Sequence, residues 1–239
     1  MKRIFLSLIL IASVLAVQAK TLVVYYSYTN NVHKIVTELS KQIEADIVRI
    51  EPAEKGLDYA ANNYALGSAL ISGIRNNPNN AASYPAIDPV NVNLAEYDCI
   101  IICAPLWWSN MAAPLQTYLF HNGAAMAGKK IGLIVSSASS GISGVEADAK
   151  RLIPDGDFIY PSLWIRSSQT GTAASMISQW LKNIGYEAMA GVEDIQADQN
   201  IIKYTIFSVS GAIVAKDALS MQNLKKGLYV VNGKKICIK

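Results

Sequence analysis

Apolar positions along the chain alternate between two periods. Thr21, Leu22, Val23 and Val24 form a short apolar run, after which Ile35, Val36, Leu39 and Ile43 recur at helical spacing. Residues 46–50 alternate again (Asp46, Ile47, Val48, Arg49, Ile50) and predict a second strand. Residues 98–104 are continuously apolar after Asp98, as expected of a central parallel strand covered on both faces. A helix is expected over 112–121, another buried strand over 130–136, and a helix over 145–152 that Pro154, Asp155 and Gly156 stop. A fifth strand is expected over 158–165, weakened by Pro161. The last helix, 171–184, sets Met176, Ile177, Trp180, Leu181 and Ile184 on one face and ends at Gly185. Repeated βα units of this kind predict an α/β fold with a doubly wound parallel sheet.

Two stretches break the pattern. Residues 51–97 are a long polar excursion punctuated by Pro52, Pro78, Pro85 and Pro89. Within it Tyr64, Leu66, Leu70, Ile71 and Ile74 predict one insertion helix over 59–75, followed by an Asn-rich loop over 76–83. Loops of this length beside a site are usually functional. Beyond the last helix, 201–207, 228–231 and 235–239 read as strands. Ser208 to Gly211, Lys225 to Gly227 and the hairpin pair Asn232 and Gly233 separate them. The chain thus divides into a main domain over 20–189 and a β-rich unit over 190–239.

The first 19 residues stand apart. Lys2 and Arg3 precede an apolar run over 4–15, and Val17, Gln18 and Ala19 supply small residues before a cleavage point, which predicts a secretory signal peptide. The run is shorter than the ~20 residues a retained membrane span needs, and no Cys follows it as in a lipoprotein signal.

Composition narrows the chemistry. Hydrophobic residues make up 51% of the chain, ample for a packed core. The net charge of +3 hides an asymmetry: over 20–189 twelve Lys and Arg face fourteen Asp and Glu, whereas over 190–239 seven face four. Neither part carries a dense basic stripe, so nucleic acid is not an expected partner. Cys99 and Cys103, four apart in a strand, lie ~13 Å from each other on one face, too far to bridge. Both read as buried apolar residues, with Cys237 alone in the tail. With His33 and His121 the sole histidines, no zinc spacing exists.

Candidate chemistry sits at strand carboxyl ends, where ligands of doubly wound sheets bind. Ser27, Tyr28, Thr29, Asn30, Asn31 and Val32 join the first strand to the first helix, where free backbone N–H groups can cradle a phosphate. A simple helix N-cap is the competing reading of this loop. The second loop holds Pro105, Leu106, Trp107, Trp108 and Ser109, and the third holds Ser137, Ser139, Ser140, Gly141 and Ile142. Adjacent indoles are ordinarily core, but a pair in a loop that must leave the core suits the wall of a flat ring. Phosphate donors, indoles and a small flexible backbone together suit flavin mononucleotide (FMN). His33 is expected to face solvent, with phosphate contact as the alternative, and His121 to stabilise a helix C-terminus. There is no G-x-G-x-x-G for a nicotinamide domain and no nucleophile elbow, so no catalytic residue is assigned.

On these motifs the chain from about 21 to 185 resembles the flavodoxin-like family, in particular its branch with a Pro-x-Trp-Trp-Gly loop. The family's first loop usually reads Ser-x-Thr-Gly-Asn-Thr. Ser27, Thr29 and Asn31 match it, Asn30 stands in place of glycine, and Val32 in place of a threonine whose hydroxyl donates to phosphate. Ser109 stands where glycine is usual in the second loop, and Ser139, Ser140 and Gly141 where the third tends to have paired glycines. The resemblance implies a three-layer sandwich with a five-stranded parallel sheet of order 2-1-3-4-5, non-covalent FMN and electron transfer to a redox partner protein or a small quinone-like acceptor. It leaves open an FMN-dependent NAD(P)H:quinone-type reductase, and a surface binding module with a degenerate flavin site. The tail, through 207–211 and 224–239, resembles the C-terminal sorting domain of the type IX secretion system, a small β-sandwich. That resemblance implies engagement of the secretion machinery and export to the cell surface or beyond; a hairpin appendage on a periplasmic protein is the alternative.

Overall fold

The computed structural model describes residues 19–189, 204–208, 210–218, 224–231 and 234–238. The signal peptide expected over 1–19 falls, Ala19 apart, outside the described residues, as do 190–203 and the Asn232 and Gly233 turn. The chain divides into two compact units, Met1–Val192 and Glu193–Lys239.

Four strands of the first unit run in the order β2 (Asp46–Arg49), β1 (Thr21–Tyr25), β3 (Cys99–Trp107) and β5 (Lys130–Ser137), all parallel. The fifth expected strand is two short pieces, β6 (Asp157–Phe158) and β7 (Leu163–Arg166), both parallel to β5. Pro161 lies in the gap between them, and a proline has no N–H to give to a ladder. The sheet order is therefore the expected one, with its last strand broken.

Alternation along the strands produces two cores. Val23, Tyr25, Ile101, Cys103 and Ile134 face α1 (Asn31–Leu39) and α5 (Ala173–Asn183). Leu22, Val24, Ile100, Ile102 and Leu133 face the other way, where α2 (Ala61–Asn76), α3 (Ala113–Asn122) and α4 (Ser143–Leu152) contribute Ile71, Leu115 and Ala149. A sheet covered on both faces explains why β3 reads as an unbroken apolar run. Each fully buried Ile or Leu here contributes about 1.5–3 kcal/mol. Cys99 and Cys103 are buried free thiols, and burial pushes Cys99 up to about 11 and Cys103 up as well, so both remain protonated packing groups.

Three local departures shape the site. The strand expected to end at Ala104 continues to Trp107 and folds back through a two-residue turn into β4 (Asn110–Met111), pairing Trp107 with Asn110. Helix α2 contains a left-handed turn at Asn62, Asn63 and Tyr64, with φ of 50, 54 and 62°. Helix α5 is preceded by a 3-10 turn over Ser167–Thr172, which takes in the first two residues of the helix expected from 171, and a short helix α6 (Tyr186–Met189) follows it after Gly185.

The second unit is a four-stranded antiparallel sheet of order β11 (Lys234–Ile238), β10 (Gly227–Val231), β8 (Tyr204–Ser208) and β9 (Ile213–Ala218). Strand β9 was not legible in the sequence: it is an edge strand whose Lys216 and Asp217 interrupt the apolar pattern, and its ladder to β8 carries register shifts.

Candidate functional site

The loop between β1 and α1 is built for an anion. Asn30 takes a left-handed conformation (φ 62°, ψ 0°) at the N-cap of α1 and makes no capping bond with its side chain. Among the described residues the N–H groups of Thr29, Asn30, Asn31 and Val32 have no hydrogen-bond partner, which is the open N-terminus an anion occupies. Ser27, buried, accepts from the His33 N–H at 3.1 Å, so its own proton is left to donate. The Asn31 amide donates to Thr29 Oγ1 at 3.2 Å and stiffens the loop. His33 is exposed, as expected, yet its Nδ1 lies 2.9 Å from the Tyr25 hydroxyl and its ring stacks on Tyr25.

The β3–β4 hairpin supplies the aromatic part. Its turn residues Trp108 and Ser109 both have positive φ (46 and 62°), the backbone of a type I′ turn, which normally selects Asn-Gly. Trp107 packs inward against Tyr59 (centroids 4.8 Å) and edge-on to Tyr26 (5.7 Å), while Trp108 stays 42% exposed and meets Tyr64 edge-on at 6.3 Å. Gly67 of α2 lies so close to the Trp108 ring that a Cβ there would sit 2.9 Å from it. Asp148, buried in α4, holds the hairpin in place by accepting from the Met111 N–H and the Asn110 amide, each at 2.9 Å, and from Arg151 at 3.1 Å.

The insertion is tied to the first loop. The Tyr28 hydroxyl donates to Asp58 Oδ1 at 2.7 Å, and the same oxygen accepts from the N–H groups of Ala60 (2.9 Å) and Ala61 (3.2 Å). The Tyr28 hydrogen bond holds the Asp58 carboxyl below its ordinary value and pushes the Tyr28 hydroxyl up. In the third loop Ser137 Oγ donates to the Ser140 carbonyl and accepts from Trp164 Nε1, both at 2.8 Å. Gly144 backs onto the Ser109 carbonyl, where a Cβ would come within 1.8 Å, so only glycine lets the second and third loops meet.

These segments enclose a cavity of about 460 Å³. Ten of the sequence-derived candidates line it: Ser27, Tyr28, Thr29, Asn31 and Val32 from the first loop, Pro105, Leu106, Trp107 and Trp108 from the second, and Ser137 from the third. Asn30, Ser109, Ser139, Ser140, Gly141 and Ile142 lie beside it. Asn30 turns outward in its left-handed cap, Ser109 abuts Gly144, and the Ser137 to Ser140 bond curls the third loop away. Tyr59, Ala60 and Tyr64 from the insertion also line the cavity, with Ser136, Ala138 and Ser167. Ser167 follows β7, so the rule of strand carboxyl ends pointed to it, whereas no local signal distinguished Tyr59. Two buried hydroxyls of this lining, Tyr59 and Ser136, have no partner among the described residues. All positive-φ residues other than glycine among those described, namely Asn30, Asn62, Asn63, Tyr64, Trp108 and Ser109, belong to the segments around this cavity. Backbone strain of this kind collects at functional sites.

Comparison with known proteins agrees with this architecture. A candidate flavoprotein from Bacteroides eggerthii is 25% identical with a TM-score of 0.55, over 70% of this chain and 98% of its own. One from Bacteroides uniformis is also 25% identical, with a TM-score of 0.53 over 69% and 99%. A Lactobacillus acidophilus flavoprotein solved in complex with FMN has the same fold at 20% identity, with a TM-score of 0.52 over 66% of this chain and 99% of its own. No curated protein matches. The family model for flavodoxin matches residues 20–184, and the chain belongs to the flavodoxin family.

Proposed function

We propose that the chain binds FMN non-covalently in this cavity and works as an exported electron carrier. The observation that carries the reading is one cavity that joins a run of unpartnered N–H groups at a helix N-terminus to a wall of Trp107, Trp108 and Tyr59. Family membership and the FMN complex of the Lactobacillus relative support the choice of ligand.

The residues present fit that group. A volume of about 460 Å³ lies within the ~300–1,000 Å³ of small-molecule sites. The N–H groups of 29–32 and the hydroxyls of Ser27 and Thr29 would hold the phosphate, favoured by the positive end of the α1 dipole. Trp107 and Tyr59 offer an apolar wall that excludes water, and the orphaned Tyr59 and Ser136 hydroxyls gain partners once a polar ligand enters. Burial pushes the Tyr59 hydroxyl up, so it stays a neutral donor. FMN when bound supplies the redox chemistry, and the protein supplies orientation and electrostatics. The acceptor is a redox partner protein or a small quinone-like molecule that reaches the cavity at exposed Trp108 and Tyr64.

Export rests on the leader-like first 19 residues and on the tail's resemblance to a type IX sorting domain. Deleting 200–239 is expected to retain the protein inside the cell envelope; unchanged accumulation outside would remove the sorting role. The decisive test of the cofactor is the visible spectrum of the mature protein titrated with FMN. A perturbed flavin band with quenched indole fluorescence is expected. Failure to take up FMN would leave the degenerate binding module as the reading, and turnover with NAD(P)H and a quinone would make the protein a reductase.

A further inference from the structure

We infer that Arg49 is a positioning residue for the phosphate loop, acting from behind it; the inference rests on the FMN reading above. Arg49 ends β2 and pairs in register with Tyr25 of β1, two residues before Ser27. Its guanidinium passes over the Tyr25 ring, with 5.9 Å from Cζ to the centroid, and Nη2 donates to the Ser27 carbonyl at 3.3 Å. Nε pairs with Glu51 at 2.6 Å, so one rigid fork is fixed at two points. Arg49 does not line the cavity that Ser27 and Tyr28 line; with those two it lines a smaller cleft on another side of the loop.

The consequence follows from peptide geometry. In a trans peptide the C=O and the next N–H point in opposite directions. Anchoring the Ser27 carbonyl to Arg49 therefore turns the Tyr28 N–H away from Arg49, and that N–H has no partner among the described residues. Arg49 thus fixes one more donor in the row that continues through 29–32 and keeps its own charge out of the cavity. The loop carries no Lys or Arg from Ser27 to His33, so its grip on a dianion depends on how well these N–H groups are pre-arranged.

The test compares FMN with riboflavin, which lacks the phosphate, on the full chain and on Arg49→Gln. FMN affinity is expected to fall roughly tenfold in the variant, about the worth of one charge-assisted hydrogen bond, while riboflavin affinity stays within twofold and serves as the folding control. The FMN ratio between wild type and variant should persist at about 0.5 M NaCl, where a simple field effect is screened, and Arg49→Lys should recover part of the loss. Equal losses for both flavins, an unchanged FMN affinity, or a ratio that vanishes in salt would each overturn the inference. Wild-type protein that binds riboflavin and FMN equally would also overturn it, whereas wild type that binds neither overturns the cofactor reading and this inference with it.

Discussion

Asn30 and Ser109 each hold a left-handed backbone where the flavodoxin-like pattern has glycine, and the side chain type sets the cost of doing so. Asn tolerates this region through local hydrogen bonding, and most other residues lose about 1–2 kcal/mol there. Asn30→Ala should therefore lower stability by about 1 kcal/mol in a urea melt, whereas Ser109→Gly should raise it by about the same amount. Tyr59→Phe separates stability from binding. Removing a buried hydroxyl that has no partner should leave the apoprotein as stable or up to about 1 kcal/mol more stable, while FMN affinity falls several-fold because the ligand loses a hydrogen bond. Thermal melts and FMN titration of the same variant check both signs. Val32, buried against α1's core and lining the cavity, is where a threonine would restore a phosphate donor. Val32→Thr should bind FMN more tightly, by up to tenfold.

At the scale of elements, the site is an assembly of segments distant in sequence, two of them held by polar anchors. Asp148 fixes the hairpin to α4. Asp148→Ala would leave the Met111 N–H unpaired in the core and Arg151 without its carboxylate, at a cost of about 3 kcal/mol seen in denaturant unfolding. The second anchor, Tyr28 to Asp58, ties the insertion to the first loop and depends on pH. Because the folded-state carboxyl is held below its unfolded value, the contribution is fully present above about pH 4 and is lost as pH falls through the depressed folded value. Hydrogen exchange at the Ala60 and Ala61 amides should accelerate, relative to the intrinsic rate, over that acidic window in the wild type and show no such step in Asp58→Asn. The strand and helix periods of β1, β3, β5, α1 and α5 were plain in the sequence, because each buries one face or both against neighbours. The hairpin extension of β3 was not, since Pro105 and two exposed turn residues mask it locally and its ladder with β5 runs on to Ser136.

Across the whole molecule, every residue that lines the cavity lies between Ser27 and Ser167, within the flavodoxin match over 20–184. Removal of 200–239 should therefore leave FMN affinity unchanged within twofold in a fluorescence titration, whatever it does to the destination of the protein. The tail's all-β character was evident from its apolar runs and turn residues, but its edge strand β9 emerged only through pairing with β8.

Periodicity, glycine and proline placement and the three loop motifs sufficed to determine the doubly wound sheet, the separate β-rich tail and most of the cavity's lining, because each is a local consequence of which face is buried and which backbone angles a residue permits; the strand order came only with the family resemblance that the motifs carry. Only tertiary structure decided that the insertion supplies Tyr59 and Tyr64, that Ser139 to Ile142 curl aside in favour of Ser136 and Ala138, and that Arg49 reaches the back of the first loop. Those placements depend on contacts between segments distant in sequence, such as Tyr28 with Asp58, and a one-dimensional pattern carries no record of which distant partner a polar side chain will meet.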